Sequence, residues 1–326
     1  MDHHRQPTSV SLPGSAASSH HRSRSHRGDT GEGPLHSRLQ RTIARPAEFH
    51  GFGFLTGADV ALRFLPADEG TGIRFQRVDQ PGTKPIPATL AHVVPRQRRT
   101  AISNGEATVE LIEHVMAALA GLQIDNCLVQ LNASECPGAD GSSLGFVHEL
   151  LEAGIVEQSL RREVLVVRQP ARTLTEGNQS EITAGPVFRR TLVISYELDY
   201  GPRSPIKPQL LTFEFSPEAF VTNLAFARTF VLEAEVAALK AQGYGSRVTE
   251  KDLLVFGDNG VIGNELRAND ECVRHKVLDC IGDFALLGCD IHGHFRAYRS
   301  GHNQNHAICR QVQASMTQAL PLRRAA

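Results

Sequence analysis

Three side chains that can bind metals or protons recur at every fourth position of one predicted helix. Residues 270–287 carry apolar side chains at helical spacing, and His275, Asp279 and Asp283 form a single stripe on another face. Burying such groups on an apolar helix is costly unless something compensates their charge. A divalent metal ion would do so, because His275 and Asp279 at positions i and i+4 can both face one ion. A solvated polar face with an ordinary His–Asp pair fits the spacing equally well.

Glu113 and His114 form a second candidate pair, within a helix predicted over 107–119. Neighbouring helix positions differ by about 100°, but both side chains can reach one cavity that borders the helix. Some metal hydrolases use a histidine to bind zinc and a nearby glutamate to take the proton of metal-bound water. A surface glutamate beside a partly buried histidine is the alternative.

Further candidate groups stand where predicted elements begin. Gly301 permits a tight turn from a strand into a helix, which places His302 at the helix start, where its imidazole can donate a proton. Thr229 and Phe230 begin another predicted helix, over 229–241. The alternative for His302 is a histidine that begins a helix and has no catalytic role. The alternative for Thr229 is a hydroxyl group without a catalytic role.

A pair of histidines alternates with apolar residues in a strand predicted over 291–298. His292 and His294 therefore share one face of that strand. Such an HxH pattern can bind a metal, but the pattern is also typical of an exposed strand face without a ligand.

The positions of apolar and turn-forming residues predict two units, each with strands followed by helices. The first unit has predicted strands at 61–65, 72–76 and 128–131, and predicted helices at 107–119 and 142–153. The second unit has predicted strands at 161–168, 191–196, 210–215 and 291–298, and predicted helices at 229–241, 270–287 and 302–312. The predicted division is a disordered Ser/His/Arg-rich tail at 1–38, α+β domains at 39–160 and 161–318, and a C-terminal tail at 319–326.

Composition narrows the classes of partner. The chain has 326 residues, a formal net charge of −1 and 41% hydrophobic residues. Because phosphate affinity depends on clustered positive charge, no nucleic-acid partner is predicted. No apolar run approaches the roughly 18 residues of a membrane helix, so at most transient contact with a membrane surface is expected. Six cysteines without a CxxC pair, and no secretory signal, favour a cytoplasmic location.

Several of these segments lie in a fixed order between about residue 40 and about residue 315. They are EHVMAAL at 113–119, ARTF at 227–230, VRHKVLD at 273–279, IGD at 281–283, GHF at 293–295 and SGH at 300–302. Together they resemble the signature blocks of the zinc-dependent UDP-3-O-acyl-N-acetylglucosamine deacetylases of lipid A synthesis. The RHKxxD pattern followed by IGD is the specific part of this resemblance.

The resemblance implies a role for each candidate residue. It implies three ligands of a Zn²⁺ cofactor: His114, His275 and Asp279. It implies four catalytic residues: Glu113 as general base, His302 as general acid, Asp283 as the group that orients His302, and Thr229 as a hydrogen-bond donor to the oxyanion. It implies two substrate contacts: Lys276 with the nucleotide sugar, and Phe230 by packing.

The same resemblance implies a fold and a function. The fold is α+β, with two similar domains, each a β-sheet layered with two α-helices, and the helices packed between the sheets. The function is removal of acetate from UDP-3-O-acyl-N-acetylglucosamine, an acylated nucleotide sugar. Separately from the resemblance, a monomer is expected. A zinc deacetylase acting on another N-acyl amino sugar, and a non-catalytic homologue, are the alternatives.

One loop, at 243–252, departs from the family pattern. Arg247 and Val248 stand at the positions of a glycine pair, and Asp252 stands where the family has asparagine. In the family this region borders the passage for the acyl chain. Bulkier side chains there are expected to narrow that passage, which leaves the acyl-chain length and the exact substrate open.

Overall fold

A computed structural model describes residues 37–175 and 179–319. Except for residues 37, 38 and 319, the predicted tails lie outside the described residues. The division into domains at residue 160 stays a prediction.

The first part of the described chain forms a five-stranded sheet. Its strands, and those of the neighbouring ladders, are β1 Leu39–Ile43, β2 Ala47–Phe52, β3 Asp59–Pro66, β4 Ile73–Arg77, β5 Ile86–Pro87, β6 Val93–Val94, β7 Ala101–Ser103, β8 Thr108–Glu110 and β9 Cys127–Leu131. The sheet order is β2-β3-β9-β4-β5, with β4 and β9 parallel, and β6-β7-β8 form a small second sheet. In β3 alternate residues Val60, Leu62 and Phe64 are buried, as expected for a strand with one face against the core.

A larger sheet follows in the second part of the chain. Its strands, and those of the neighbouring ladders, are β10 Ile155–Arg161, β11 Val164–Val166, β12 Ala171–Leu174, β13 Glu181–Gly185, β14 Leu192–Leu198, β15 Gln209–Glu214, β16 Phe230–Leu232, β17 Leu254–Gly257, β18 Gly260–Ile262 and β19 Asp290–Tyr298. The order is β12-β13-β19-β14-β15, and β11 also pairs with β19. Strands β16-β17-β18 form a separate small sheet, and β1 pairs with β10.

Six α-helices are described. They are α1 Glu113–Gly121, α2 Leu144–Ala153, α3 Pro217–Asn223, α4 Glu233–Ala241, α5 Glu271–Phe284 and α6 His302–Ala319. Helix α1 packs against α5 and α2, α2 packs on β2 of the first sheet, and α5 packs on α6 and on β14 of the larger sheet. The predicted α+β class is therefore confirmed, with helices layered on both sheets. No helix among the described residues has the length and apolar character needed to cross a membrane.

Helices α1 and α5 approach each other closely at Gly282. A Cβ atom built on Gly282 would lie 2.1 Å from the backbone oxygen of Glu113, which opens α1. No side chain fits there, so the glycine sets the distance between the two helices that carry most of the candidate site. The close packing of the two helices therefore explains the glycine of the IGD block, Gly282.

Two predicted helix starts are wrong for the same physical reason. The helix predicted over 107–119 begins only at Glu113, because β8 pairs with β7 and the chain turns at Leu111, where φ is 56°. The helix predicted over 229–241 begins at Glu233, because β16 pairs with β17. In both segments, backbone pairing with another strand overrides the local helical pattern.

Helix α3 was missed by the sequence prediction, although its start carries a clear signal. Ser216 accepts a hydrogen bond from the backbone N–H of Ala219, and Pro217 occupies the first helical position. Serine followed by proline is a recognised helix start.

Candidate active site and metal centre

The predicted stripe on α5 lies in the protein interior and faces the start of α1. His275, Asp279 and Asp283 are each at most 2% exposed. Because α1 begins at Glu113, both Glu113 and His114 lie at the N-terminal end of that helix. Both face a cavity of about 1700 Å³. One ligand atom each from His114, His275 and Asp279 lies within 4.8 Å of the others.

One carboxylate oxygen occupies the centre of this cluster. Oδ1 of Asp279 lies 3.4 Å from Nε2 of His275 and 3.7 Å from Nε2 of His114. Oδ1 is buried and has no hydrogen-bond partner among the described residues, whereas Oδ2 accepts a hydrogen bond of 2.7 Å from Nζ of Lys276. A buried carboxylate oxygen without a partner is costly, and a cation between it and the two imidazoles removes that cost.

The protonation states of the three groups suit metal ligands. Burial, and then the neighbouring His275, lower the pKa of His114 to about 3. Burial also lowers the pKa of His275. Burial alone raises the pKa of Asp279, but His275 and Lys276 outweigh it and hold that pKa well below its usual range. Two neutral imidazoles and one carboxylate form a three-residue donor set that fits a divalent metal with an open position.

A buried ion pair holds His275 in place. Nδ1 of His275 donates a hydrogen bond of 3.1 Å to the backbone oxygen of Ala227, which directs Nε2 toward Asp279. The next residue, Arg228, contacts Glu271 in the first turn of α5, with 2.8 Å between Nε and Oε1. Glu271 also accepts from the backbone N–H of Arg228. Arg228 and Glu271 were not predicted as site residues, because a pairing across 43 positions leaves no local pattern in the sequence.

A second cluster surrounds Asp283. Nδ1 of His302 lies 2.8 Å from Oδ2 of Asp283, and Nδ2 of Asn305 donates to the same oxygen over 2.8 Å. The hydroxyl of Thr100 donates to Oδ1 over 2.6 Å, and Nε2 of His306 lies 3.3 Å from it. Both carboxylate oxygens of Asp283 are therefore engaged, and the side chain has one fixed orientation.

The two members of the His302–Asp283 pair shift each other's pKa in opposite directions. Burial lowers the pKa of His302, but the Asp283 carboxylate outweighs it and raises the pKa to about 9. Burial alone raises the pKa of Asp283, but His302 and His306 hold it well below its usual range. The imidazole of His302 is therefore in its charged, protonated form at neutral pH.

Glu113 lies between the two clusters. Its Oε2 accepts a hydrogen bond of 3.0 Å from the backbone N–H of Thr100, and its Oε1 lies 3.9 Å from Nε2 of His302. Burial is the main cause that raises the pKa of Glu113 to about 7. Thr100 thus contacts both Glu113 and Asp283. Thr100 was not predicted as a site residue, since a lone threonine after a basic segment has no distinctive spacing.

The remaining predicted site residues line the same cavity. Thr229, Phe230 and Lys276 are half-buried there. The ring of Phe230 lies edge-on to those of Tyr200 and His275, with centroids 5.9 Å and 6.1 Å apart. Burial alone lowers the pKa of Lys276, but Asp279 outweighs it and raises the pKa above its usual value.

The HxH pair lies elsewhere. His292 and His294 do not line the cavity, and Nε2 of His294 lies 2.9 Å from the hydroxyl of Ser195. Among the described residues, the cluster of metal-binding side chains contains neither histidine. Both are half-buried on β19 rather than fully exposed.

Comparison with known proteins identifies the family. A model of the family described as "LpxC: UDP-3-O-acyl N-acetylglycosamine deacetylase" matches residues 40–314. The chain belongs to this family. The LpxC match spans every candidate site residue on α1, α5 and the start of α6.

Curated relatives support the same assignment. The chain is 39% identical over 275 residues to a UDP-3-O-acyl-N-acetylglucosamine deacetylase of Citrifermentans bemidjiense, covering 84% of this chain and 88% of that protein. It is 36% identical over 283 residues to the same-named protein of Neisseria gonorrhoeae, covering 86% and 91%. It is 35% identical over 288 residues to that of Myxococcus xanthus, covering 87% and 90%. The predicted enzyme class, a deacetylase that hydrolyses an amide, is confirmed.

Proposed function

We propose that this chain is a zinc-dependent deacetylase that removes the acetyl group of UDP-3-O-acyl-N-acetylglucosamine in lipid A biosynthesis. The observation that carries the proposal is the unpartnered Oδ1 of Asp279 between two neutral imidazoles, with Glu113 and His302 in the same cavity. The names of the three relatives supply the substrate. We further infer that the enzyme acts as a monomer in the cytoplasm.

His114, His275 and Asp279 would hold the metal. Nitrogen and oxygen donors with one open position favour Zn²⁺, which as a Lewis acid polarises an amide carbonyl and lowers the pKa of water toward about 7. Lys276 neutralises the second oxygen of Asp279, so that only Oδ1 is available as a ligand. The hydrogen bond from Nδ1 to the backbone oxygen of Ala227 fixes the His275 ring and leaves Nε2 to coordinate the metal.

Glu113 is assigned as the general base. The backbone N–H of Thr100 holds Oε2, which leaves Oε1 to take the proton from the attacking water. A pKa of about 7 makes Glu113 a matched base near neutral pH, since proton transfer is most effective when the base titrates near the working pH. Nearby positive charge, from a bound metal or from His302, favours its ionised form.

His302 is assigned as the general acid. An amine leaves poorly until it is protonated, and Nε2 of His302 can supply that proton while Asp283 holds Nδ1. Thr229 lies on the cavity wall, and we assign its hydroxyl to the oxyanion of the tetrahedral intermediate. Loss of one such donor typically costs on the order of 3 kcal/mol of transition-state stabilisation.

The cavity supports an acylated nucleotide sugar as substrate. The ammonium group of Lys276 gives one hydrogen bond to Asp279 and has further N–H donors for the nucleotide-sugar part. Phe230 offers an apolar face. One part of the wall is apolar, with Val231, Val255 and Ile262 among its residues. Such a wall suits the acyl chain.

The loop with the substituted glycine pair borders this apolar region. Val248 lines the cavity, and Nη1 of Arg247 lies 2.7 Å from Oδ1 of Asp59 while its guanidinium covers the ring of Phe52 at 4.6 Å. The loop is therefore joined to the β2–β3 connection. We infer that this contact limits the length of the acyl chain.

Acetate release from a panel of UDP-sugars tests the proposed substrate. The zinc-loaded chain is expected to prefer UDP-3-O-acyl-N-acetylglucosamine over the same sugar without its acyl chain, because only the former uses the apolar wall. Preference for the unacylated sugar would favour a deacetylase of another N-acyl amino sugar. Absence of hydrolysis of every sugar amide would favour a non-catalytic homologue.

A further inference from the structure

A second cleft lies between the two helices that carry the candidate metal ligands. Its volume is about 320 Å³. The core residues Met116, Leu119, Ile281 and Phe284 lie at its base and are at most 3% exposed. Its accessible apolar surface comes from half-buried residues such as Ile73, Ala120 and Ala285. Among the described residues, none lines both this cleft and the active cavity. The two sites lie toward opposite ends of β14: Leu192 lines the cleft, whereas the last residue of that strand lines the active cavity.

Basic side chains surround this cleft, and two of them are neutralised by acids. Nη1 of Arg38 lies 2.6 Å from Oδ2 of Asp125, and its Nη2 lies 2.7 Å from Oδ1 of Asp290. Nε of Arg162 lies 3.0 Å from Oδ1 of Asp125. These two cations and two carboxylates compensate one another and leave no net charge.

Arg190 is the cation that remains. It lines the cleft, it is exposed, and it has no hydrogen bond or ion pair with any of the described residues. It also faces His292 on the same rim: burial and the Arg190 charge lower the pKa of that imidazole, against the opposing effect of Asp290. The mouth of the apolar cleft therefore has one uncompensated positive charge.

We propose that this cleft binds an amphipathic anion, an unbranched alkyl chain that ends in a carboxylate. The chain would lie along the edge where α1 meets α5, over Ile73, Ala120 and Ala285, and the carboxylate would pair with the guanidinium of Arg190. The volume is near the lower end of the range of about 300–1,000 Å³ typical of ligand pockets, which fits one chain of medium length. An apolar wall with a few polar groups at its edge is the usual construction of such a site.

Dodecanoate is a suitable probe for this site. The experiment is isothermal titration calorimetry of the full chain with dodecanoate below its critical micelle concentration. We expect that one of the dodecanoate molecules bound per chain occupies the cleft. Arg190→Gln should weaken that binding about ten-fold, since it removes a charge-assisted contact. Dodecyltrimethylammonium, which has the same chain and the opposite charge, should bind there more weakly than dodecanoate.

Arg189→Gln provides the matched control. Arg189 is adjacent, loses the same charge on substitution, does not line the cleft, and pairs with Glu214 at 3.3 Å. This variant should bind dodecanoate as the unaltered chain does. Ala285→Phe, which places a ring in the cleft, should abolish the binding, with thermal unfolding as the check that the variant is folded.

Four results would overturn the proposal. They are no dodecanoate binding, equal effects of the Arg189 and Arg190 substitutions, equal affinity for the ammonium compound, and unchanged binding in a folded Ala285→Phe variant. The last result would place the alkyl chain in the active cavity instead. If Ala285→Phe does not fold, the comparison of Arg190→Gln with Arg189→Gln decides.

Discussion

Nδ1 of His302 lies 2.8 Å from Oδ2 of Asp283, and both side chains are buried. The charged form of each side chain stabilises the charged form of the other. The pKa of His302 is therefore raised to about 9, and the pKa of Asp283 is lowered. This relationship keeps the imidazole of His302 protonated over the neutral range. It also couples activity and stability to pH.

The first prediction concerns the pH dependence of deacetylation. Because the pKa of His302 is raised, its protonated form persists until the pH passes about 9, and kcat/KM should fall above that value. In Asp283→Asn the carboxylate is lost, the pKa of His302 falls, and the alkaline limb should move to lower pH. Rate profiles of the two proteins provide the measurement. An alkaline limb that stays in place in Asp283→Asn would exclude His302 as the acid.

The second prediction concerns stability. His302 has a higher pKa in the folded chain than the 6.5 of an exposed histidine, so its contribution is complete below about pH 6.5 and is lost as the pH rises through about 9. The contribution of Asp283, whose pKa is lowered, is lost as the pH falls below about 3.9. The difference in free energy of unfolding between the unaltered chain and His302→Gln should therefore be largest between about pH 4 and 6.5.

Urea unfolding at a series of pH values measures that difference. Its size should be on the order of 3 kcal/mol where it is largest, since one pKa unit corresponds to about 1.4 kcal/mol. A difference that does not change between pH 6 and pH 10 would contradict the assigned pair.

The third prediction separates proton transfer from metal binding. Glu113→Gln keeps the size of the side chain and can still accept a hydrogen bond from the backbone of Thr100, but it cannot take a proton. Zinc content should stay at one per chain, while kcat should fall by about 10²–10⁴. Elemental analysis and the deacetylation assay on one preparation check both values. A variant that keeps normal activity would exclude Glu113 as the base.

The fourth prediction concerns the packing of α1 on α5. Gly282→Ala places a methyl group 2.1 Å from the backbone oxygen of Glu113, so the helices must separate. The free energy of unfolding should fall by about 1–3 kcal/mol or more, as in other overpacked cores. Gly185→Ala is the control, because a methyl group there meets nothing within 4 Å. Equal effects of the two substitutions would contradict the close approach.

The chemical residues were easier to predict than the groups that position them. The stripe on α5 could be predicted because residues four positions apart share a helix face. The helix predicted over 270–287 also closely matches α5 and the short 3-10 turn after it. Thr100 and the Arg228–Glu271 pair act through contacts with distant parts of the chain. No local periodicity records such contacts.

Two helices were predicted to start too early in the sequence. Strand β8 before α1 and strand β16 before α4 were read as helix, since their residues continue the helical spacing of apolar side chains. Pairing with β7 and β17 decides their conformation instead. The error matters for the site, because the late start of α1 is what places Glu113 and His114 at a helix end.

Restoration of activity by metal is the most direct test of the proposed active site. Protein from which a chelator has removed the metal should release no acetate from UDP-3-O-acyl-N-acetylglucosamine. Added Zn²⁺ should restore activity in proportion to the amount added, up to one equivalent per chain. His275→Ala should neither retain zinc nor recover activity, whereas His294→Ala, outside the cluster, should behave as the unaltered chain. Full activity in the stripped protein, or one tightly held zinc in His275→Ala, would contradict the assignment.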